Sequence, residues 1–234
     1  MTLIDPDKTG YKESVRKAFQ AERAGTSAIM LGGSLGVNET LLDAIVKELK
    51  RKGLKIPIIL FPGSVGGLSK YADAVWFISV LTSISVYHII GAQVQAAVIV
   101  KKYGIEPLSL AYIIMGEGGA AGYVSYSRPI PFNRPEIAAA YALAAQYLGF
   151  SFVYLEGGSG GKPIPEEVIR RVSSTIDIPL IVGGGIKNRE LARKAARAGA
   201  NIIVTGTVVE EAENEEEVIR DIIEGIREGV KERG

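Results

Sequence analysis

Short apolar runs alternate with amphipathic stretches from one end of the chain to the other. Thr2–Ile4 reads as a strand, and Tyr11–Ala24 as a helix with Val15, Ala18 and Phe19 on one face and Gly25 as its stop. Ala28–Leu31 is a second strand, and Thr40 is expected to cap a helix to Lys52 whose apolar face carries Leu42, Ile45, Val46 and Leu49. Ile58–Phe61 and Ala74–Ser79 are the third and fourth strands. Only GSVGGLSKYAD separates those two, room for about one or two turns of helix at ~1.5 Å rise per residue.

A helix over Tyr87–Tyr103 leads to a fifth strand, Leu108–Met115. The long excursion GEGGAAGYVSYSRPIPFNRPE then precedes a helix over Pro135–Leu148. Phe152–Glu156, Leu180–Gly183 and Ile202–Thr205 are strands six to eight, separated by helices near Pro165–Ser174 and Asn188–Ala198. The last helix opens on Asn214 with Glu217 three residues on, a capping pair, and aims Val218, Ile222, Ile226 and Val230 at the core. Eight short strands, each followed by a helix except the third, predict an α/β (β/α)8 TIM barrel whose third helix is reduced or replaced by a loop. A doubly wound open sheet is the competing architecture. No linker or composition shift divides residues 1–234, so one barrel domain is expected. The most apolar stretch, Ala72–Val100, is interrupted by Ser79, Thr82, Ser83, Ser85, His88 and Gln93, and reads as strand plus buried helix rather than a membrane span.

Composition narrows the classes. With 27 basic and 26 acidic residues the net charge is +1, so no bulk field attracts nucleic acid or an anionic membrane. Cysteine is absent, which excludes disulfides, thiolate metal sites and a cysteine nucleophile, and agrees with a cytoplasmic location. The single histidine, His88, makes Ser–His catalysis and multi-histidine metal sites poor fits.

Barrel enzymes work at the carboxyl ends of their strands, and the unusual residues fall there. Strand one ends in Asp5, strand two in Gly32–Ser34, strand three in Pro62–Ser64, strand six in Glu156 followed by GGSGG, strand seven in Gly183–Gly185 and strand eight in Thr205–Thr207. Glycine-rich βα loops let backbone N–H groups converge on an anion. Gly184, Gly185, Gly206 and Thr207, with Ser159 as a hydroxyl donor, therefore form a candidate phosphate cradle. Asp5 is a magnesium ligand, a helix N-cap or a structural salt-bridge partner, and Asp7 either its partner or a cap. Glu156 is either a general base, its pKa raised by partial burial, or a carboxylate satisfied by loop amides. Two other readings keep the glycine loops: a sugar-phosphate isomerase, which wants a second acid at a mid-barrel strand end, a requirement that strand five's Met115-Gly116-Glu117 fits poorly, and a non-catalytic barrel holding a flavin nucleotide or other phospho-ligand.

The segments LIDPDK, MLGGS, ILFPGS, YADAVWFIS, IIGAQ, YLEGGSGG, VGGGIKN and VTGTVVE, in order over nearly the whole chain, resemble the geranylgeranylglyceryl phosphate synthase family, whose bacterial relatives make heptaprenylglyceryl phosphate. The resemblance implies a barrel lacking a normal third helix. It implies magnesium-dependent transfer of a geranylgeranyl or related polyprenyl group from its diphosphate to the 3-hydroxyl of sn-glycerol 1-phosphate, the first ether bond of archaeal-type lipids, by a homo-oligomer. Asp5 and Ser34 match the magnesium positions. Tyr154, Leu155, Glu156, Gly157, Gly158, Ser159, Gly160, Gly184, Gly185, Gly206 and Thr207 match the glycerol phosphate site, with Glu156 taking the hydroxyl proton and Tyr154 orienting the glycerol. The tail is expected along Gly91–Val100 and strand four, with Tyr87, Tyr123 and Tyr126 gating it. Members of that family carry a segment before the first strand, whereas this chain opens on it.

Overall fold

The computed structural model describes residues 1–33 and 36–233. Eight strands, β1 (Thr2–Ile4), β2 (Ile29–Leu31), β3 (Ile58–Leu60), β4 (Ala74–Val80), β5 (Glu106–Ile114), β6 (Phe152–Glu156), β7 (Leu180–Gly183) and β8 (Ile202–Val204), pair in parallel and in sequence order. Thr2 bridges Thr205, with Leu3 N–H donating to the Thr205 carbonyl at 2.8 Å and Thr205 N–H to that of Met1 at 3.2 Å, so the sheet closes on itself. That closure rules out the open-sheet alternative.

Side chains alternate between the barrel interior and the helical layer, as strand geometry requires. In β6, Phe152 and Tyr154 pack inward with Trp76 and Tyr112, while Val153 and Leu155 pack outward against Ala139 and Val168. Trp76 is core, set edge-on to Phe152 with centroids 5.1 Å apart.

The surrounding helices are α1 (Pro6–Ala24), α2 (Glu39–Arg51), α3 (Ala92–Tyr103), α4 (Gly119–Val124), α5 (Pro135–Tyr147), α6 (Glu166–Ser173), α7 (Arg189–Ala198), α8 (Thr207–Glu210) and α9 (Glu215–Glu232). No helix lies between β3 and β4; Leu68 and Ala72 of the connecting loop fill that part of the outer core instead. Several expected boundaries move. Asn38 rather than Thr40 caps α2, accepting from Leu41 N–H at 3.1 Å. A π-helical turn, Tyr87–Gly91, precedes α3, and the short α4 and α8 lie where only loop was expected. α1 is broken at Gly10 (φ 71, ψ 173), which separates a first turn begun by Pro6 from the expected Tyr11–Ala24 helix. Asn214 caps α9 as expected, but Val230 is exposed beyond the end of the buried stripe.

One buried ion pair ties the first helix to the last. Lys17 Nζ donates to Glu215 Oε1 at 2.8 Å and to the Val209 carbonyl at 3.1 Å, and both side chains are nearly inaccessible. Its hydrogen bonds with Arg16 and Lys17 outweigh burial and hold Glu215 down to about 2. The associated stability is therefore complete above the ordinary value of 4.5 and disappears as pH falls through about 2. Lys17→Met should lower the unfolding free energy by about 3 kcal/mol, because a buried carboxylate loses one of its cations. Denaturant titration checks this, and a loss under about 1 kcal/mol would mean that Arg16 alone satisfies Glu215.

Candidate active site

The strand register aligns the mouth. Glu156 is level with Gly183 and Gly183 with Val204, so the loops after β6, β7 and β8 stand side by side. They form one wall of a cavity of ≈ 520 Å³ that also reaches Asp5, Phe61, Ile78, Tyr112 and α4.

Glu156 is buried on the inner face. Its Oε2 accepts from the Tyr112 hydroxyl at 2.8 Å and its Oε1 from Gly158 N–H at 2.6 Å. Burial pushes its pKa above the ordinary carboxylate value, and the hydrogen bonds from Tyr112 and Gly158 oppose part of that rise. Tyr154 is buried beside it, its ring 4.9 Å from that of Tyr112 and stacked on Phe61 at 5.9 Å. Burial, reinforced by the neighbouring Glu156 charge, raises both tyrosine pKa values well above 10, so each stays a neutral hydroxyl.

The glycine triplet after β7 makes room for this group. A Cβ on Gly183 would collide with the Tyr154 hydroxyl, and one on Gly184 would lie 2.9 Å from Glu156 Oε1. Gly184 also has φ +85, the left-handed region that side chains resist.

The loop amides divide into two sets. Gly157 N–H donates to the Gly183 carbonyl at 3.0 Å and Gly158 N–H to Glu156, so these two hold the loop and the carboxylate and are not offered to a ligand. Gly157 and Gly158, which the resemblance matches to the glycerol phosphate site, thus have their amides engaged within the protein, between the lining residues Glu156 and Ser159. Leu155 points into the outer core and does not line the cavity, because an odd step along the strand reverses the side chain. Ser159, Gly160, Gly184, Gly185, Gly206 and Thr207 do line it. Among the described residues, no acceptor takes up their N–H groups.

Asp5 caps α1, its Oδ1 accepting from Asp7 N–H at 3.1 Å, and its carboxylate packs so closely on Gly33 that a Cβ there would strike it. Burial raises its pKa, while the Asp7 amide and Lys8 lower it. Asp7 and Lys8 also line the mouth, where Lys8 pairs with Glu210 at 3.1 Å. Ser34 lies outside the described residues. No group of three acids or histidines that could hold a metal occurs among them. Glu117, the second acid an isomerase would want, is exposed and outside the cavity.

The model of the PcrB family matches residues 1–226. The chain belongs to the PcrB family. Among similar members, the geranylgeranylglyceryl phosphate synthase of Thermofilum pendens is 58% identical over 233 residues, covering 100% of this chain and 91% of the relative. That of Pyrococcus horikoshii is 52% identical, covering 97% and 89%. The crystal structure of (S)-3-O-geranylgeranylglyceryl phosphate synthase from Thermoplasma acidophilum, in complex with its substrate sn-glycerol-1-phosphate, matches with a TM-score of 0.94 at 43% identity, covering 97% of this chain and 92% of that one.

For a PcrB-family barrel, the residues that sequence reading missed are Tyr112, Phe61, Lys8 and Lys187, all lining the cavity. Tyr112 had a signal: in LSLAYIIM it is the one polar aromatic, two steps before the end of the strand and so in phase with the inner face. The channel toward α4 is walled by Ile78, Val80, His88, Ala120, Ala121 and Val124. Ile78 and Val80 of strand four line it, whereas Gly91–Val100 does not.

Proposed function

We propose that this chain is a prenyltransferase that moves a geranylgeranyl or related polyprenyl group from its diphosphate to the 3-hydroxyl of sn-glycerol 1-phosphate. The observation carrying this reading is the position of Glu156: a buried carboxylate between unclaimed loop amides on one side and an apolar channel on the other. The amides of Gly184, Gly185, Gly206 and Thr207, with Ser159, take the glycerol phosphate. Tyr112 and Gly158 hold the carboxylate in place, and Tyr154 orients the glycerol. As the allylic C–O bond breaks, its electron pair leaves with the diphosphate. The glycerol oxygen forms the ether bond to the allylic carbon, and its proton passes to Glu156. The channel holds the tail and excludes water from the developing cation.

Asp5 is the carboxylate that would hold magnesium, with Asp7 and Glu210 near enough for their charges to act on it but no group of three acids or histidines among the described residues, so substrate oxygens would complete the coordination. Ser34 is the second candidate ligand. Magnesium, when bound, neutralises the charge growing on the leaving diphosphate.

Incubation of the purified protein with sn-glycerol 1-phosphate, magnesium and farnesyl, geranylgeranyl or heptaprenyl diphosphate should give the ether product, with a clear preference among donors. No ether from any of them would sink the reading. Asp5→Asn keeps a capping side chain and should raise the magnesium concentration for half-maximal rate by at least about tenfold. An unchanged magnesium titration would remove Asp5 from the metal site.

A further inference from the structure

The channel that leaves Glu156 passes His88 and α4. Around that exit, apolar side chains stand out into solvent: Ile84 and Val86 are each 70% exposed, Ile90 53% and Tyr123 87%, with Tyr87 and Tyr126 exposed beside them. They form one rim. Ile84 N–H donates to the Tyr126 carbonyl at 3.0 Å, and Tyr126 N–H to that of Tyr123 at 3.2 Å. The rings of Tyr87 and Tyr126 lie 5.2 and 6.0 Å from His88, a wall residue of the channel. Tyr126 adopts φ 52, a costly conformation for an aromatic residue, and its ring is nevertheless left largely exposed.

The two segments that carry the rim are free of acids, which resume at the exposed Glu117 and Glu136 on either side of the second one. Although 26 of the chain's 234 residues are acidic, residues 74–105 and 118–135 contain no Asp or Glu. Their only charged residues are Lys101, Lys102, Arg128 and Arg134. Arg128 directly follows the Ser83–Ser127 bridge that joins the two sides of the rim.

We propose that this rim is a membrane-docking surface that seats the mouth of the prenyl channel on a bilayer with anionic headgroups. The inference rests on the prenyl-transfer reading, since donor and product then carry a tail whose passage through water costs about 0.8 kcal/mol per exposed CH₂. A mouth resting on acyl chains avoids that exposure. Tyr87, Tyr123 and Tyr126 are amphipathic rings suited to the headgroup level, and Ile84, Val86 and Ile90 suit the acyl boundary below it. The lack of acids removes repulsion from anionic lipid, and Arg128 adds attraction. Docking is peripheral: no helix among the described residues is long and apolar enough to cross a membrane. The other candidate occupant is a second copy of the chain, because Val94 and Val98 continue an exposed apolar strip along α3.

The test compares the unmodified protein with the double variant Val86→Asp, Ile90→Asp by flotation on vesicles of phosphatidylglycerol and phosphatidylcholine in equal parts. Both residues are exposed and outside the cavity, so turnover of donor presented in detergent should stay within about twofold. The unmodified protein should float, and the bound fraction of the variant should fall by at least about tenfold. Absence of flotation in the unmodified protein, or equal flotation of the two, overturns the proposal. So does light scattering that shows an oligomer which the two substitutions break into monomers. Failure of the prenyl-transfer reading is visible separately, as absence of ether product from both proteins whatever their flotation.

Discussion

Glu156→Gln should lower kcat by about three orders of magnitude, within the range of general-base removal, while leaving the affinity for sn-glycerol 1-phosphate nearly intact. The amide side chain occupies the same space and still accepts one hydrogen bond, but it cannot take the hydroxyl proton. Burial raises the folded-state pKa of Glu156, so an ionised carboxylate at that position costs stability once pH exceeds the ordinary carboxylate value. The variant should therefore be as stable as the parent at neutral pH, or more so, which separates lost chemistry from lost fold. In the parent, kcat/KM should fall toward acid pH with an apparent pKa above the ordinary 4.5. Tyr112→Phe removes a hydrogen bond that favours the carboxylate and should move that acid limb to still higher pH. Steady-state rates over a pH series check both claims. Near-normal turnover in Glu156→Gln would remove the base assignment, and an unmoved limb in Tyr112→Phe would show that Tyr112 does not tune Glu156.

Gly183→Ala is expected to cost about two orders of magnitude in rate, although it adds one methyl group outside the reacting atoms. The new Cβ collides with the Tyr154 hydroxyl and comes within 2.6 Å of the ring carbon that bears it. Tyr154 is hemmed in by Phe61 and Tyr112, so relief must come from moving the ring or the β7 backbone. A displacement of about 1 Å at a reacting group is worth roughly a hundredfold, and overpacking adds about 1–3 kcal/mol of instability. Denaturant unfolding and steady-state rates measure the two effects. Tyr154→Phe in the same chain should recover part of the stability and none of the rate. A Gly183→Ala protein with parental stability and turnover would mean that the strand yields freely and that the triplet has no packing role.

The architecture and the level of the site were legible along the chain, because both follow from short-range periodicity. Alternating strand and helix patterns, with an undersized connection after Ile58–Phe61, correspond to the closed barrel and its missing helix. A glycine cluster at a strand's carboxyl end had to lie at the mouth, and Gly184, Gly185, Gly206 and Thr207 do line the cavity there. Asp5 was open to a ligand reading and to two structural ones, a cap or a salt bridge; the structure shows the cap, and the ligand role belongs to the proposed function. Short helices such as α4 and α8 escaped notice because a four- to six-residue turn with glycine or threonine in it has no amphipathic period to read.

What the sequence by itself determined was the order of elements and which residue types reach the mouth. Only the tertiary structure decided the partners. Tyr112 meets Glu156 because β5 and β6 pair with Tyr112 level with Tyr154, a register that no local pattern encodes. Leu155 faces away and Glu156 faces in because successive side chains reverse, and the barrel's closure decides which face is inside. The amides of Gly157 and Gly158 are spent on Gly183 and Glu156, contacts made across strands and within a folded loop. Lys17 and Glu215, nearly two hundred positions apart, neutralise each other only once the last helix packs on the first. Hydrophobic period is a property of neighbours in the chain, whereas hydrogen bonds and buried charges are settled by neighbours in space.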